Sequence, residues 1–357
     1  MAYSWCDSSA ALRQWSAGLA AGQPLYLDTE FMRERTYFPR LALVQVHDGD
    51  GIYLIDTTQV DPAVLAAALA NRPLVMHACS EDLEALAAFT GVYPAGVEDT
   101  QIAAALVGED MQLGYQRIVE TRLGVSLAKG ATRTDWLRRP LSDEQLSYAE
   151  DDVKYLPALA QGLREQLDRL GRLPWWREEC ARLREEAVAR AEPGEPWRQV
   201  KGAGHLQGQP LAVLRELAQW REQVARERDL PKGFVLRDPE MLEISRETRP
   251  SLAGLQRLGL HPKLLRRDGD TIIECIERGL RAEPPAPLPE PLDGEQRQKV
   301  KALRDKVAGI AEQLALKPDV LVRRRWLEAL VRDPARLPEP MAGWRHDIVA
   351  KPLLESL

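Results

Sequence analysis

An α/β layered domain followed by small all-helical units is the fold class that the sequence predicts, and three observations predict it. Short strand-like runs crowd the first 80 residues, helical periodicity takes over after them, and two Pro-rich segments interrupt the helical remainder. A chain of 357 residues suits two or three domains. Hydrophobic content of 45% with 29% charged residues is that of a globular protein. No stretch approaches the ~18 consecutive apolar residues of a membrane span. The start, MAYSWCDSSAALRQW, lacks the basic end and apolar run of a signal peptide. Cys6, Cys79, Cys180 and Cys275 form no C-x-x-C pair, which points to four buried, reduced thiols in a cytoplasmic protein.

The elements follow in order. An amphipathic helix is expected around Ser8 to Leu19, then a strand, LYLDTEF, over Leu25 to Phe31. RLALVQVHDG gives a second strand with Leu41, Leu43 and Gln45 on one face. The turn Asp48-Gly49-Asp50-Gly51 leads into a third, GIYLIDT, completing an antiparallel meander. Asp61 caps a helix through Ala70, and PLVMHACS is a short apolar strand. SEDLEALAAFTG is a helix that opens with acids and ends at Gly91. Helices are expected over Val97 to Val107 and Leu113 to Gly124, then a basic loop over Lys129 to Arg139. Ser142 and Gln145 form a capping box that opens a further helix.

Linkers are expected at Glu192 to Gln209 and at Ala282 to Asp293, dividing the chain into 1–195, 205–282 and 294–357. The two later parts share a pattern, an amphipathic helix followed by Pro, which suggests two diverged copies of one helical domain. Residues 1–197 carry a net charge of −11 and residues 198–357 one of +5. That asymmetry suits one part that holds metal and one that attracts a polyanion, or else reflects solvated helix faces.

Chemistry is suggested by four acids and a tyrosine. Asp28 and Glu30, two apart on a strand, point to one face. Their mutual repulsion is relieved by a hard divalent cation, or by water at an open strand end. Asp82 lies in the first turn of a helix, where the dipole favours a carboxylate whether or not it binds anything. Tyr148 and Asp152 are four apart and share a helix face flanked by Leu146, Val153 and Leu156. Asp151 points about 100° away. Beside the acidic strand, Arg33, Arg35 and Arg40 mix with Tyr37 and Phe38. This composition suits phosphate contacts and base stacking, although the rings equally suit packing on the sheet. Lys129, Arg133, Arg138 and Arg139 either rim a substrate channel or face water. His77 reads as a packed strand residue and Trp220 as core.

Together D-x-E on a strand (Asp28, Glu30), an Asp opening a helix (Asp82) and Y-x-x-x-D (Tyr148, Asp152) resemble the Tyr-containing branch of the DEDD exonuclease superfamily. The runs LDTEFMRERTYFPRLALVQ and HACSEDLEAL resemble bacterial ribonuclease D, and the helical tail resembles its HRDC domains, Glu295 to Leu357 departing most. The resemblance covers nearly the whole chain. It implies a ribonuclease H-like domain, a mixed sheet flanked by helices, followed by two small all-α HRDC-like domains. It also implies 3′→5′ hydrolysis of RNA to nucleoside 5′-monophosphates with two divalent ions, Mg²⁺ or Mn²⁺. Asp28, Glu30, Asp82 and Asp152 would be the ligands and Tyr148 would orient water. Catalytic residues are then Asp28, Glu30, Asp82, Tyr148 and Asp152. Substrate-binding candidates are Arg33, Arg35, Tyr37, Phe38, Arg40, Lys129 and Arg133. The expected partners are tRNA precursors and other RNA with single-stranded 3′ ends, met by a monomer. A DNA exonuclease of the same superfamily and a non-catalytic nucleic-acid-binding scaffold are the competing readings.

Overall fold

A six-stranded mixed sheet organises the first part of the computed structural model, which describes residues 3–128, 134–192 and 194–357. The strands are β1 (Tyr3–Cys6), β2 (Leu25–Met32), β3 (Arg40–His47), β4 (Ile52–Asp56), β5 (Leu74–Met76) and β6 (Val97–Asp99). They lie in the order β1-β4-β3-β2-β5-β6. The expected meander is β2, β3 and β4, antiparallel throughout. β1 joins β4 in parallel, and β5 and β6 continue the sheet in parallel from β2. β1 and β6 are too short to show periodicity, and β6 reads in the sequence as the first turn of the helix that follows it.

Helices cover both faces. Leu25, Leu27, Val44, Val46 and Ile55 form one face. They pack with Leu12 of α1 (Ser9–Ala17), Leu65 of α2 (Pro62–Leu69) and Leu83 and Leu86 of α3 (Ser80–Thr90). α4 (Thr100–Leu106) and α5 (Tyr115–Leu123) follow β6. On the other face Leu43, Leu54 and Trp136 pack with Ala149 and Val153 of α6 (Asp143–Lys154). The capping box of α6 forms as expected. Ser142 Oγ accepts from Gln145 N at 3.2 Å and Gln145 Oε1 accepts from Ser142 N at 3.0 Å. α7 (Leu156–Arg169) and α8 (Leu173–Ala191) complete this part of the chain.

Two compact units divide the molecule. One comprises the chain up to Met32, Arg40–Ala191 and Leu292–Leu357; the other comprises Arg33–Pro39 and Glu192–Pro291. In the second, α9 (Gln209–Glu227), α10 (Lys232–Val235), α11 (Asp238–Ile244), α12 (Leu252–Arg257) and α13 (Pro262–Arg281) surround a core of Leu211, Leu214, Leu217, Ile272 and Ile276. α13 closes on α9 at Gly279, where a Cβ would fall 2.4 Å from Val213 Cα. Trp220 is buried, as read. Trp197 is fully buried in the same core, so part of the segment read as a linker is structural.

The segment 294–357, which the Pro-rich stretch sets apart in the sequence, shares its core with the sheet domain. Leu303 and Val307 of α14 (Gly294–Leu314) cluster with Leu159 and Leu163 of α7 and with Trp176 of α8. So do Leu327 and Leu330 of α16 (Arg324–Arg332) and Leu353 of α17 (Lys351–Leu354), which follow the short α15 (Pro318–Leu321). Arg172 donates to the Leu106 and Leu314 carbonyls at 2.8 and 2.5 Å, and Trp175 stacks on Trp344 at 4.3 Å. Amphipathic helices announce that a face is buried but not against what. Among the described residues, no helix is long and apolar enough to cross a membrane.

Candidate active site

Strand alternation builds the centre of the site. Leu25, Leu27 and Thr29 point into the α1–α3 side, so Tyr26, Asp28 and Glu30 point to the other. A register shift between Glu30 and Phe31 ends the regular pairing with β3 just beyond the acids. From the same side α6 brings Tyr148 and Asp152, one turn apart on the face that buries Ala149 and Val153. Asp28, Glu30 and Asp152 each place a carboxylate oxygen within 4.8 Å of the other two. The Tyr148 hydroxyl faces the Asp152 carboxylate closely enough for each to shift the other's ionisation, and its ring lies 6.1 Å from Trp136. Asp151 stays outside this group, 4.0 Å from the Lys154 ammonium.

Asp82 reaches the site by a different route. Ala78, with φ of 58°, turns the chain from β5 into α3, a conformation uncommon for a residue with a Cβ. Asp99 holds that turn, its carboxylate accepting from Ala78 N at 3.1 Å and Cys79 N at 2.9 Å. Asp82, only 9% exposed, accepts a 2.5 Å hydrogen bond from Thr29 Oγ1. Its carboxylate lies outside the trio that meets within 4.8 Å, but its charge acts on Asp28, Glu30 and Asp152, and it is secured by the residue between Asp28 and Glu30. His77 is a packed residue, its ring nitrogens 2.9 Å from Thr100 Oγ1 and from the Leu113 carbonyl.

Electrostatics marks the group as one that wants a cation. Burial, then Asp152 and Asp82, hold the Asp28 carboxyl well above the carboxylate range. Burial, Asp28 and Asp82 push Glu30 up to about 9. Burial lifts Asp82 to about 6 against the opposing Thr29 hydrogen bond. Burial and Glu30 raise Asp152, whose Oδ2 is buried without a hydrogen-bond partner. Burial and the Asp152 charge raise the Tyr148 hydroxyl as well. Crowded hard oxygens that would otherwise take up protons, one of them unpartnered, fit a divalent metal ion.

The remaining sequence candidates are placed less uniformly. Arg33, Arg35 and Arg40 are exposed and Phe38 is 38% exposed. Tyr37 is engaged within the second unit. Its hydroxyl donates to Glu222, its ring lies under the Arg226 and Lys232 cations, and its backbone N–H meets Asp229 at 2.9 Å. Arg139 turns inward, donating to Asp56 at 2.7 and 2.6 Å and to the Ala42 carbonyl at 2.7 Å, which removes it from any channel rim. Arg138 is exposed. Lys129 and Arg133 lie outside the described residues. Sequence reasoning missed Thr29, which alternation assigns to the opposite face, and Tyr115. The Tyr115 hydroxyl is buried without a partner and is raised by burial and then by the Asp152 charge.

Known families and relatives match most of the chain. The 3'-5' exonuclease family matches residues 3–168 and the HRDC domain family matches residues 211–276. Ribonuclease D of Pseudomonas paraeruginosa is 38% identical over 99% of this chain and 97% of its own. Ribonuclease D of Escherichia coli is 35% identical over 99% and 98%. The crystal structure of Escherichia coli RNase D, described as an exoribonuclease involved in structured RNA processing, superposes with a TM-score of 0.90. It is 34% identical and covers 99% of this chain and 98% of that one.

Proposed function

Because the chain belongs to the ribonuclease D family and is a 3′→5′ exoribonuclease that uses divalent metal, we propose that its five motif residues form the catalytic centre. The observation that carries this reading is the convergence of Asp28, Glu30 and Asp152 within 4.8 Å. Asp28, Glu30, Asp82 and Asp152 would hold two cations, Mg²⁺ or Mn²⁺. When bound, these supply Lewis-acid stabilisation to both oxygens of an in-line phosphoryl displacement.

The protein's own groups do the positioning. Asp28, Glu30 and Asp152, which meet within 4.8 Å, would hold one cation, Asp28 would be shared with the second, and Asp82, fixed by Thr29, would complete that second set. Tyr148 stays protonated at neutral pH, its hydroxyl raised by burial and by Asp152. It therefore orients the attacking water by hydrogen bonding and is not a base. A water oxygen bonds to phosphorus, the P–O3′ bond breaks, and the terminal residue leaves as a nucleoside 5′-monophosphate with a free 3′-hydroxyl behind it. Phe38 offers a ring for the terminal bases and Arg35 and Arg40 offer charge for phosphates. Tyr37 anchors the loop that carries them. Residues 205–282 serve as the HRDC-like unit that captures RNA. The protein works as a cytoplasmic monomer on tRNA precursors.

A tRNA precursor with a 3′ trailer, labelled in its last nucleotide, tests the reading by product chemistry. Label released first as a nucleoside 5′-monophosphate, in Mg²⁺ or Mn²⁺ and not in EDTA, supports it. Label released as a nucleoside 3′-monophosphate or inside an oligonucleotide overturns it.

A further inference from the structure

Gln45 is the one polar side chain that the apolar strand LALVQV turns towards the acids. It is paired directly opposite Asp28 across β2 and β3, and opposite Leu54 on its other side. Residues directly opposite in an antiparallel pair project from the same face with Cβ atoms about 4.5–5.5 Å apart. Gln45 therefore shares the face of Asp28. Val44 and Val46 on either side of it belong to the opposite core, and Leu43 belongs to the core under α6. The side chain is fully buried, and neither Nε2 nor Oε1 has a hydrogen-bond partner.

An amide in that position is costly. Leu43 and Leu54, its neighbours on this face of the sheet, offer no side-chain hydrogen-bonding group, and a leucine or methionine would fill the space without leaving polar atoms unpaired. The charged neighbour on its row of the sheet is Asp28. As a metal ligand Asp28 calls for a donor on its other oxygen, the arrangement by which outer groups fix metal-binding carboxylates.

We propose that Gln45 is a positioning residue for the metal centre, its Nε2 donating to Asp28, directly or through one internal water, in the cation-loaded protein. The proposal rests on the assignment of Asp28 as a metal ligand. Gln45 touches neither substrate nor metal; it acts by holding the carboxylate in its binding orientation.

Mn²⁺ affinity of the full-length protein, read by calorimetry, tests this with wild type, Gln45→Met and Asp28→Asn. Gln45→Met is expected to weaken Mn²⁺ binding about 10-fold or more, while its melting temperature in EDTA equals or exceeds that of wild type. Wild-type affinity in Gln45→Met, with binding lost in Asp28→Asn, overturns the role of Gln45 and leaves the carboxylate assignment standing. Unchanged affinity in Asp28→Asn overturns that assignment and this proposal with it. A second measurement needs no variant: in wild-type protein labelled with ¹⁵N-glutamine, a solvent-protected side-chain amide pair shifts on adding Mg²⁺. If no protected amide pair responds to Mg²⁺, the proposal fails whatever the variant does.

Discussion

Neutralising one of the clustered acids has opposite effects with and without metal, and Asp28→Asn shows this most clearly. At 4.8 Å and an effective dielectric of ~20, two carboxylates repel by ~3.5 kcal/mol. Proton uptake by Glu30 and its neighbours already relieves part of that repulsion, so the substitution gains about 2 kcal/mol in the metal-free protein. For a unit of this size that is ~4–8 °C in melting temperature. Saturating metal reverses the order, because a ligand at 100 times its dissociation constant stabilises wild type by ~2.7 kcal/mol and the variant binds it poorly. Thermal melts at pH 8 in EDTA and in Mg²⁺ read both effects. An Asp28→Asn protein that melts below wild type in EDTA would refute the reasoning, since it would mean that the carboxylates do not repel across this site.

Four further outcomes are expected. The acid cluster binds more protons in the folded protein than in the unfolded chain between pH ~4 and about 9, because Glu30 rises to about 9, Asp82 to about 6, and Asp28 and Asp152 are raised, outweighing the lowered His47 and His77. This stabilisation is complete below the unfolded values and is lost as pH rises. The melting temperature in EDTA should therefore fall from pH 5 to pH 9, and a rise would contradict the assignment. Tyr148→Phe should keep Mn²⁺ affinity but slow single-turnover hydrolysis at least 10-fold; equal rates would remove its role. Thr29→Val removes the donor to Asp82 and should cost about 1–3 kcal/mol in urea unfolding at pH 7, with the Asp82 carboxyl titrating above its present value. Ending the chain at Ala191 uncovers Leu159, Leu163 and Trp176. The truncated protein should melt far below wild type or aggregate, and an unchanged melt would show that residues 292–357 are dispensable to that core.

Much of the site was legible because its residues obey local periodicities. Asp28 and Glu30 share a face by strand alternation, Tyr148 and Asp152 by helical spacing, and the Ser142 box marks where that helix begins. What escaped depends on contacts between elements. Thr29 was invisible because alternation turns it away from the acids, yet its hydroxyl meets Asp82, which arrives from another helix. Tyr37 read as a ring for stacking or for packing on the sheet, and Arg139 as a channel-rim or solvent-facing group, but their partners, Glu222 and Asp56, lie 185 and 83 residues away in sequence. The tail read as a separate domain for the same reason, its apolar faces giving no sign that α7 and α8 would cover them.

The most direct test is digestion of matched 5′-labelled RNA and DNA carrying single-stranded 3′ tails. Wild type and Asp28→Asn would be compared in Mg²⁺, Mn²⁺ and EDTA. A metal-dependent ladder that shortens RNA from its 3′ end, absent in EDTA and in the variant, is the predicted result. An undiminished ladder with Asp28→Asn, or RNA binding without any ladder in either metal, would contradict it.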